Sequence, residues 1–220
     1  GVGVAPRTAE TTLYDVLIGR VPLSRAILKT GVPRLDVVPA TQDLVAAELE
    51  LVDETDRALR LRDAIAALVD SKDGVYEFIL IDCPPSLGLL TINALFAATH
   101  TLIVTEPGAW ASDGVDQILA NLERVQARRN GLPELVGIAV NRVGRTRDAQ
   151  YWHNELMATP GDAILPAVHQ RAALTEAAAQ SLPIHALTRP GAEEASIEFA
   201  DLYDAMWDRM GHELSISGVA

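Results

Sequence analysis

The sequence predicts an α/β fold, a mostly parallel sheet flanked by helices on both faces, and three observations carry that reading. Five short runs rich in Val, Ile and Leu recur along the 220 residues, at Leu35 to Val38, Phe78 to Ile81, Thr101 to Val104, Val136 to Val140 and Ile164 to Val168. They are continuous rather than alternating, as suits strands buried on both faces of a parallel sheet. Stretches long enough for helices separate them, with apolar residues spaced by three and four. With 49% hydrophobic residues the chain can bury one sizeable core, so a single domain over residues 1–220 is expected.

Each element follows from its own pattern. After the Leu35 strand, Leu44, Leu49, Leu51 and Val52 lead into Leu59, Leu61, Ile65 and Leu68, a helical stripe packed on a sheet. The Phe78 strand ends abruptly at Asp82, followed by Pro84, Pro85 and the turn at Gly88, with a helix beginning near Leu87. Between the Thr101 and Val136 strands, Val115, Ile118, Leu119, Leu122 and Val125 mark another helix. Ala172 to Ala179 reads as one helix, and Phe199, Leu202, Tyr203, Met206, Trp207 and Met210 form the apolar face of the last.

Composition narrows the functions. Thirty acidic against eighteen basic side chains give a formal charge of −12, which excludes a generally basic nucleic-acid binder or a coat on anionic lipid. Any such contact must use a local patch. No run of eighteen apolar residues and no secretory signal occur, and the acidic last helix, with Glu193, Glu194, Glu198, Asp201, Asp204, Asp208 and Glu213 against Arg209, argues against a membrane anchor. A single Cys83 permits no internal disulfide and the five His show no ligand spacing, so a reducing cytoplasmic location is expected and a zinc site is not. Ser86, Ser112 and Ser181 lack the glycines of a nucleophile elbow.

Asp82 is the residue with most chemical content. In open α/β sheets ligands sit beyond the carboxyl ends of strands, where an aspartate can hold Mg²⁺ or its water shell beside a phosphate. The competing reading is that Asp82 caps the helix that follows. The two prolines favour the first, because they hold the exit from the strand extended and rigid.

The run Ile79-Leu-Ile-Asp82-Cys-Pro-Pro-Ser-Leu-Gly-Leu-Leu-Thr91-Ile-Asn93 resembles the Walker B strand and following helix of the ParA/Soj partition ATPases, deviant Walker P-loop proteins related to MinD. Thr12 to Gly19 resembles the family's short helix, and Leu35 to Leu51, with Pro39 and the pair Glu48 and Glu50, its strand, proline and Glu-x-Glu helix. Gly137 to Arg142, Ile164 to Val168 and Leu174 to Ala177 resemble the two strands flanking the nucleotide base and the helix after them. The resemblance implies ATP and Mg²⁺ as cofactors and ATP hydrolysis as the activity. By matching position Asp82 is implied as the catalytic-site residue that binds the metal through water, Asn141 as the reader of adenine and Pro166 as the residue packed on the base. Read without the family, Asn141 is equally a turn residue at a strand end, and Arg142 beside it reaches phosphate or faces solvent.

The family's glycine-rich loop of the form KGGxGKT has no counterpart here. Lysine occurs twice, at Lys29 and Lys72, and neither lies among glycines. The family's second strand with its Asp-x-Asp-Pro-Gln turn is missing as well, so the expectation is an N-terminally incomplete ParA-type domain whose first strands lie outside the chain. Thr105-Glu106-Pro107 also departs from the family's pattern after this strand.

Charge is unevenly distributed. Residues 36–116 hold 4 basic and 15 acidic side chains, whereas residues 124–147 hold 6 basic and 1 acidic. Arg124, Arg128, Arg129, Arg142, Arg145 and Arg147 form either a phosphate-binding strip or a solvated face balancing acidic neighbours. The resemblance places Arg171 on the family's DNA surface, so Arg145, Arg147 and Arg171 are the candidate DNA contacts. It further implies a nucleotide-dependent homodimer, non-specific DNA, a ParB-type partner and a cytoplasmic, nucleoid-associated protein segregating chromosomes or plasmids. The alternative is a non-catalytic ParA-like module without a P-loop that pairs with a paralogue or a cell-pole protein.

Overall fold

The computed structural model describes Val4 and residues 9–71, 76–158 and 163–211, in two compact units: residues 1–99 with 128–133, and residues 100–127 with 134–220.

The first unit is mainly helical. Its elements are α1 (Leu13–Leu17), a 3₁₀ turn (Leu23–Ala26), β1 (Leu28–Lys29), β2 (Asp36–Val37), α2 (Leu44–Glu50), α3 (Arg60–Asp70) and α4 (Leu89–Ala97). At the start of α1 the Asp15 carboxylate accepts from the Thr12 backbone N–H at 3.0 Å, which satisfies a donor at the helix entrance. Val16, Leu23, Ala26 and Leu68 form one core cluster, and Leu17, Ala47, Leu51 and Leu61 another. Around helix α2 the predicted Leu44 and Leu51 do face the core together with Ala47, whereas Leu49 and Val52 stand 77% and 54% exposed.

Two of the predicted strands behave differently here. Leu35 to Val38 contributes only Asp36 and Val37, paired antiparallel with β1. Six residues separate the two strands, enough for a reversal through Arg34 at φ 64° but not for the crossover that a parallel pair requires. Phe78 to Ile81 forms neither helix nor strand and pairs with no strand among the described residues, and Leu80 is 90% exposed. An apolar run becomes a strand only where neighbouring backbones complete its ladder, and none of the described ones does so.

The second unit carries the parallel sheet. β3 (His100–Thr105) and β4 (Glu134–Val140) pair in parallel, with a register shift between Thr101 and Leu102. The predicted third strand runs beside β4 through isolated parallel bridges, Ile138 to Ile164 and Val143 to His169. Leu165 N–H donates to the Ile138 carbonyl and Val168 N–H to that of Val140, an advance of three residues against two on β4, so the regular ladder is interrupted at Pro166 and Ala167.

Helices cover both faces of this sheet. On one, Ile103 and Ile138 pack with Val115 of α5 (Ala111–Gln126), and Val140 and Val143 with Leu156 of α6 (Arg147–Met157). On the other, Ala139, Leu165 and Val168 pack with Leu174 of α7 (Ala172–Ala179) and with Leu202 and Met206 of α8 (Ala192–Arg209). α8 buries Ala192, Ala195 and Leu202, while Phe199 and Tyr203 of its predicted apolar face stay 40% and 48% exposed. Arg209 ties α8 to the sheet by donating to the carbonyls of Val136, Ala163 and Ile164. Its guanidinium needs the space above Gly137, where a Cβ would lie 2.6 Å from Nη1.

Candidate functional site

Asp82 lies in the first unit at the carboxyl end of the Phe78 to Ile81 segment. It is exposed, and among the described residues its carboxylate makes no hydrogen bond or ion pair. The reading of Asp82 as a helix cap does not hold. The helix after it begins at Leu89 with Gly88 as N-cap, and the carboxylate at that end is Glu48, whose Oε1 accepts from Leu90 N–H at 3.2 Å. Gly88 makes room for it, because a Cβ there would stand 2.5 Å from Glu48 Oε1. The other half of the Glu-x-Glu pair, Glu50, accepts from the Tyr14 hydroxyl at 2.6 Å. Next to Asp82, the Cys83 thiol is pushed up by the atoms packed around it and then by the Asp82 charge, so it is not an activated nucleophile.

Two further residues support the segment. Thr91 Oγ1 donates to the Ser86 carbonyl at 2.5 Å and fixes the turn to α4. Asn93, 1% exposed, accepts from Leu61 N–H at 3.1 Å and donates to the carbonyls of Arg57 and Leu89 at 2.8 and 3.0 Å. It therefore caps the start of α3 from within α4.

The remaining candidates belong to the second unit. Asn141 prolongs the sheet by one bond, its N–H donating to the Thr105 carbonyl at 2.8 Å. Its Oδ1 accepts from Arg142 N–H at 2.9 Å, and Arg142 takes the left-handed conformation at φ 55°. Asn141 is thus a turn residue whose side-chain NH₂, without a partner among the described residues, remains available as a donor. Arg142 pairs with Glu106 at 3.2 Å, both more than half exposed, a contact weak enough to be exchanged. Pro166 is exposed in the extended run beside β4.

Of the basic cluster, Arg129 is removed from any DNA strip. Its Nη1 donates to the Ala98 and Leu95 carbonyls at 2.5 and 3.1 Å and closes the C-terminus of α4 within the first unit. Burial, and then the Arg62 charge, lower its pKa. In the second unit Arg145 and Arg147 are exposed, with Arg147 opening α6 behind Thr146, whose hydroxyl accepts from Ala149 N–H at 3.2 Å. Arg145 and Arg171 line one pocket with His169, Gln170 and Glu198. Arg171 is paired, Nη2 donating to Glu198 Oε1 at 2.5 Å, and His169 Nδ1 lies 2.9 Å from the same oxygen. Burial pulls the Glu198 carboxyl upward, but the hydrogen bonds from Arg171 and His169 outweigh it and hold the group below the usual carboxylate range. Glu198 and His169 were not singled out from sequence. Glu198 counts there as one of seven acids on a polar face, and only the fold shows it turned toward Arg171.

The donor set at Asp82 suits a Mg²⁺ ion that is completed by other groups. Among the described residues no three His, Cys, Asp or Glu come together to hold a metal, and one exposed carboxylate is what an ion bound mainly by water and nucleotide phosphate requires.

The comparisons with known proteins fit this geometry. The fold is that of the P-loop NTPases of the ParA/MinD kind. Cobyrinic acid a,c-diamide synthase from Mycobacterium smegmatis, with a bound ATP analog and magnesium, superposes with a TM-score of 0.68 at 29% identity over 94% of this chain and 77% of its own. The AAA domain family matches residues 1–133. The chromosome partitioning protein ParA of Caulobacter vibrioides is 37% identical over 172 residues, 78% of this chain and 64% of the relative. The chromosome-partitioning ATPase Soj of Treponema pallidum is 37% identical over 186 residues, 84% of this chain and 71% of the relative. The chain belongs to the ParA/Soj family and spans just under two thirds of the Caulobacter protein's length.

Proposed function

We propose that the protein is an ATP-dependent partition switch that acts in chromosome or plasmid segregation as a nucleotide-dependent dimer, binds DNA without sequence preference and answers to a ParB-type partner. The observation that carries the reading is Asp82: a carboxylate at the end of a Walker B-like segment, relieved of capping by Glu48 and left exposed. The ATP analog and magnesium in the Mycobacterium smegmatis relative support ATP and Mg²⁺ as its ligands. Asp82 would hold one of the ion's waters; in the second unit Asn141, with its free amide donor, and Pro166 are by the family resemblance the candidates for contact with an adenine base. The ion itself supplies charge neutralisation at the phosphates. The lysine-bearing phosphate loop is not among the 220 residues, so the reading places that cradle outside them. Arg145 and Arg147, exposed near the start of α6, are the proposed contacts to the DNA backbone.

Binding of fluorescent duplex DNA by the whole gene product, with and without ATP and Mg²⁺, tests the proposal. Nucleotide-dependent binding that Asp82→Ala abolishes is the expected result. No ATP affinity even at millimolar concentration would instead favour the non-catalytic module that pairs with a paralogue.

A further inference from the structure

The pocket lined by Arg145, His169, Gln170, Arg171 and Glu198 carries a consequence for the DNA contacts. It encloses about 140 Å³ and lies wholly within the second unit. Arg145 is exposed and has no partner among the described residues, so it can receive a phosphate as it stands. Arg171 cannot. Its side chain is 20% exposed, its Nη2 is held by Glu198 at 2.5 Å, and its Nε is buried without a partner. Glu198 is 17% exposed and fully engaged, with Oε1 shared between Arg171 and His169 Nδ1 and Oε2 accepting from His169 N–H at 3.0 Å. Helix α7 starts directly after Arg171, its N-cap residue, with no side-chain cap. Two arginines and a histidine describe a receptor for a phosphate oxygen, and the Glu198 carboxylate occupies it as an internal counter-ion.

We propose that Glu198 masks Arg171: the carboxylate stands where a DNA backbone phosphate would bind, so that Arg145 engages DNA while Arg171 is withheld until Glu198 is displaced. The mask rests on the DNA reading above and adds its regulation. α8 supplies the mask and the turn before α7 the masked residue, so any movement of α8 relative to that turn changes the number of cations offered to DNA. Each phosphate neutralised adds about 0.9 to the magnitude of the slope of log affinity against log salt, so unmasking one arginine has a countable signature.

The test is a mutant cycle on the whole chain, read as affinity for a duplex of arbitrary sequence across a salt titration. Glu198→Gln should raise affinity about five-fold at moderate salt and steepen the slope by about 0.9. Arg171→Ala alone should change little, and Glu198→Gln with Arg171→Ala should return to the parent values. Glu198→Asp, which keeps the charge but draws it back by one methylene, should fall between and serves if the glutamine variant is poorly folded. If Glu198→Gln weakens binding while Arg171→Ala weakens it equally, Glu198 orients Arg171 instead of masking it and the proposal is overturned. If Arg145→Ala also leaves affinity unchanged, the DNA reading fails and the mask fails with it.

Discussion

Asn93 shows how much one polar side chain can organise. Its amide is buried and meets three backbone groups, two of them on the segment that starts α3, 32 and 36 residues back along the chain. Replacing it by Ala leaves the buried Leu61 N–H without its acceptor and the part-buried carbonyls of Arg57 and Leu89 without this donor. Unsatisfied buried groups cost about 1–3 kcal/mol each before relaxation, so Asn93→Ala should lower the unfolding free energy by about 2–3 kcal/mol. Urea denaturation measures this, and a loss below about 1 kcal/mol would mean that the α3 entrance finds another partner. Asn93 was visible in the sequence as part of a family-like run, but its task was not. Periodicity reports which face of a helix is buried, not which distant backbone end that face must cap. The same holds for Arg129. Its charge suggested a surface strip, and its actual partners are the carbonyls of Leu95 and Ala98.

The exit from the Asp82 segment depends on a division of labour among elements. α4 needs a negative group at its N-terminus, and Glu48 from α2 provides it across the bare backbone of Gly88. Asp82 is thereby spared. Glu48→Ala and Gly88→Ala should each cost about 1 kcal/mol, the first by deleting the capping carboxylate and the second by displacing it. Since both remove one interaction, the double variant should cost little more than either alone, and additive losses in thermal unfolding would show that Gly88 serves another purpose. Elements whose partners are close in sequence were legible: β3, β4, α5 and α7 stand where their apolar spacing put them. Where pairing decided the outcome the pattern fell short. Phe78 to Ile81 has the composition of a buried strand without a described neighbour, and Ile164 to Val168 pairs only around Pro166.

On the scale of the whole molecule, the proposed DNA binding sets two electrostatic ranges against each other. If Arg145 and Arg147 are the DNA contacts proposed above, each acts at contact, releases a counter-ion from the backbone and contributes about −0.9 to the slope of log affinity against log salt. The formal charge of −12 acts at long range and repels a polyanion. The screening length decides which is felt. At 0.1 M salt it is about 10 Å, and the distant acids are largely hidden, whereas at 0.01 M it is about 30 Å and their field extends to the DNA. Affinity should therefore rise as salt falls toward about 0.1 M and then level off, unlike that of a basic protein, whose affinity keeps climbing. Arg145→Ala with Arg147→Ala should reduce the magnitude of the slope above 0.1 M by about 1.8 and leave the low-salt repulsion in place, so the plateau drops. Fluorescence anisotropy across 0.01–0.3 M salt measures both regimes, a range chosen to span the screening lengths of about 30 and 10 Å. An unaltered slope in the double variant would remove these arginines from the DNA contact. A plot that stays straight down to the lowest salt would mean that the acids are turned away from the bound duplex and that the surface, not the net charge, governs the encounter.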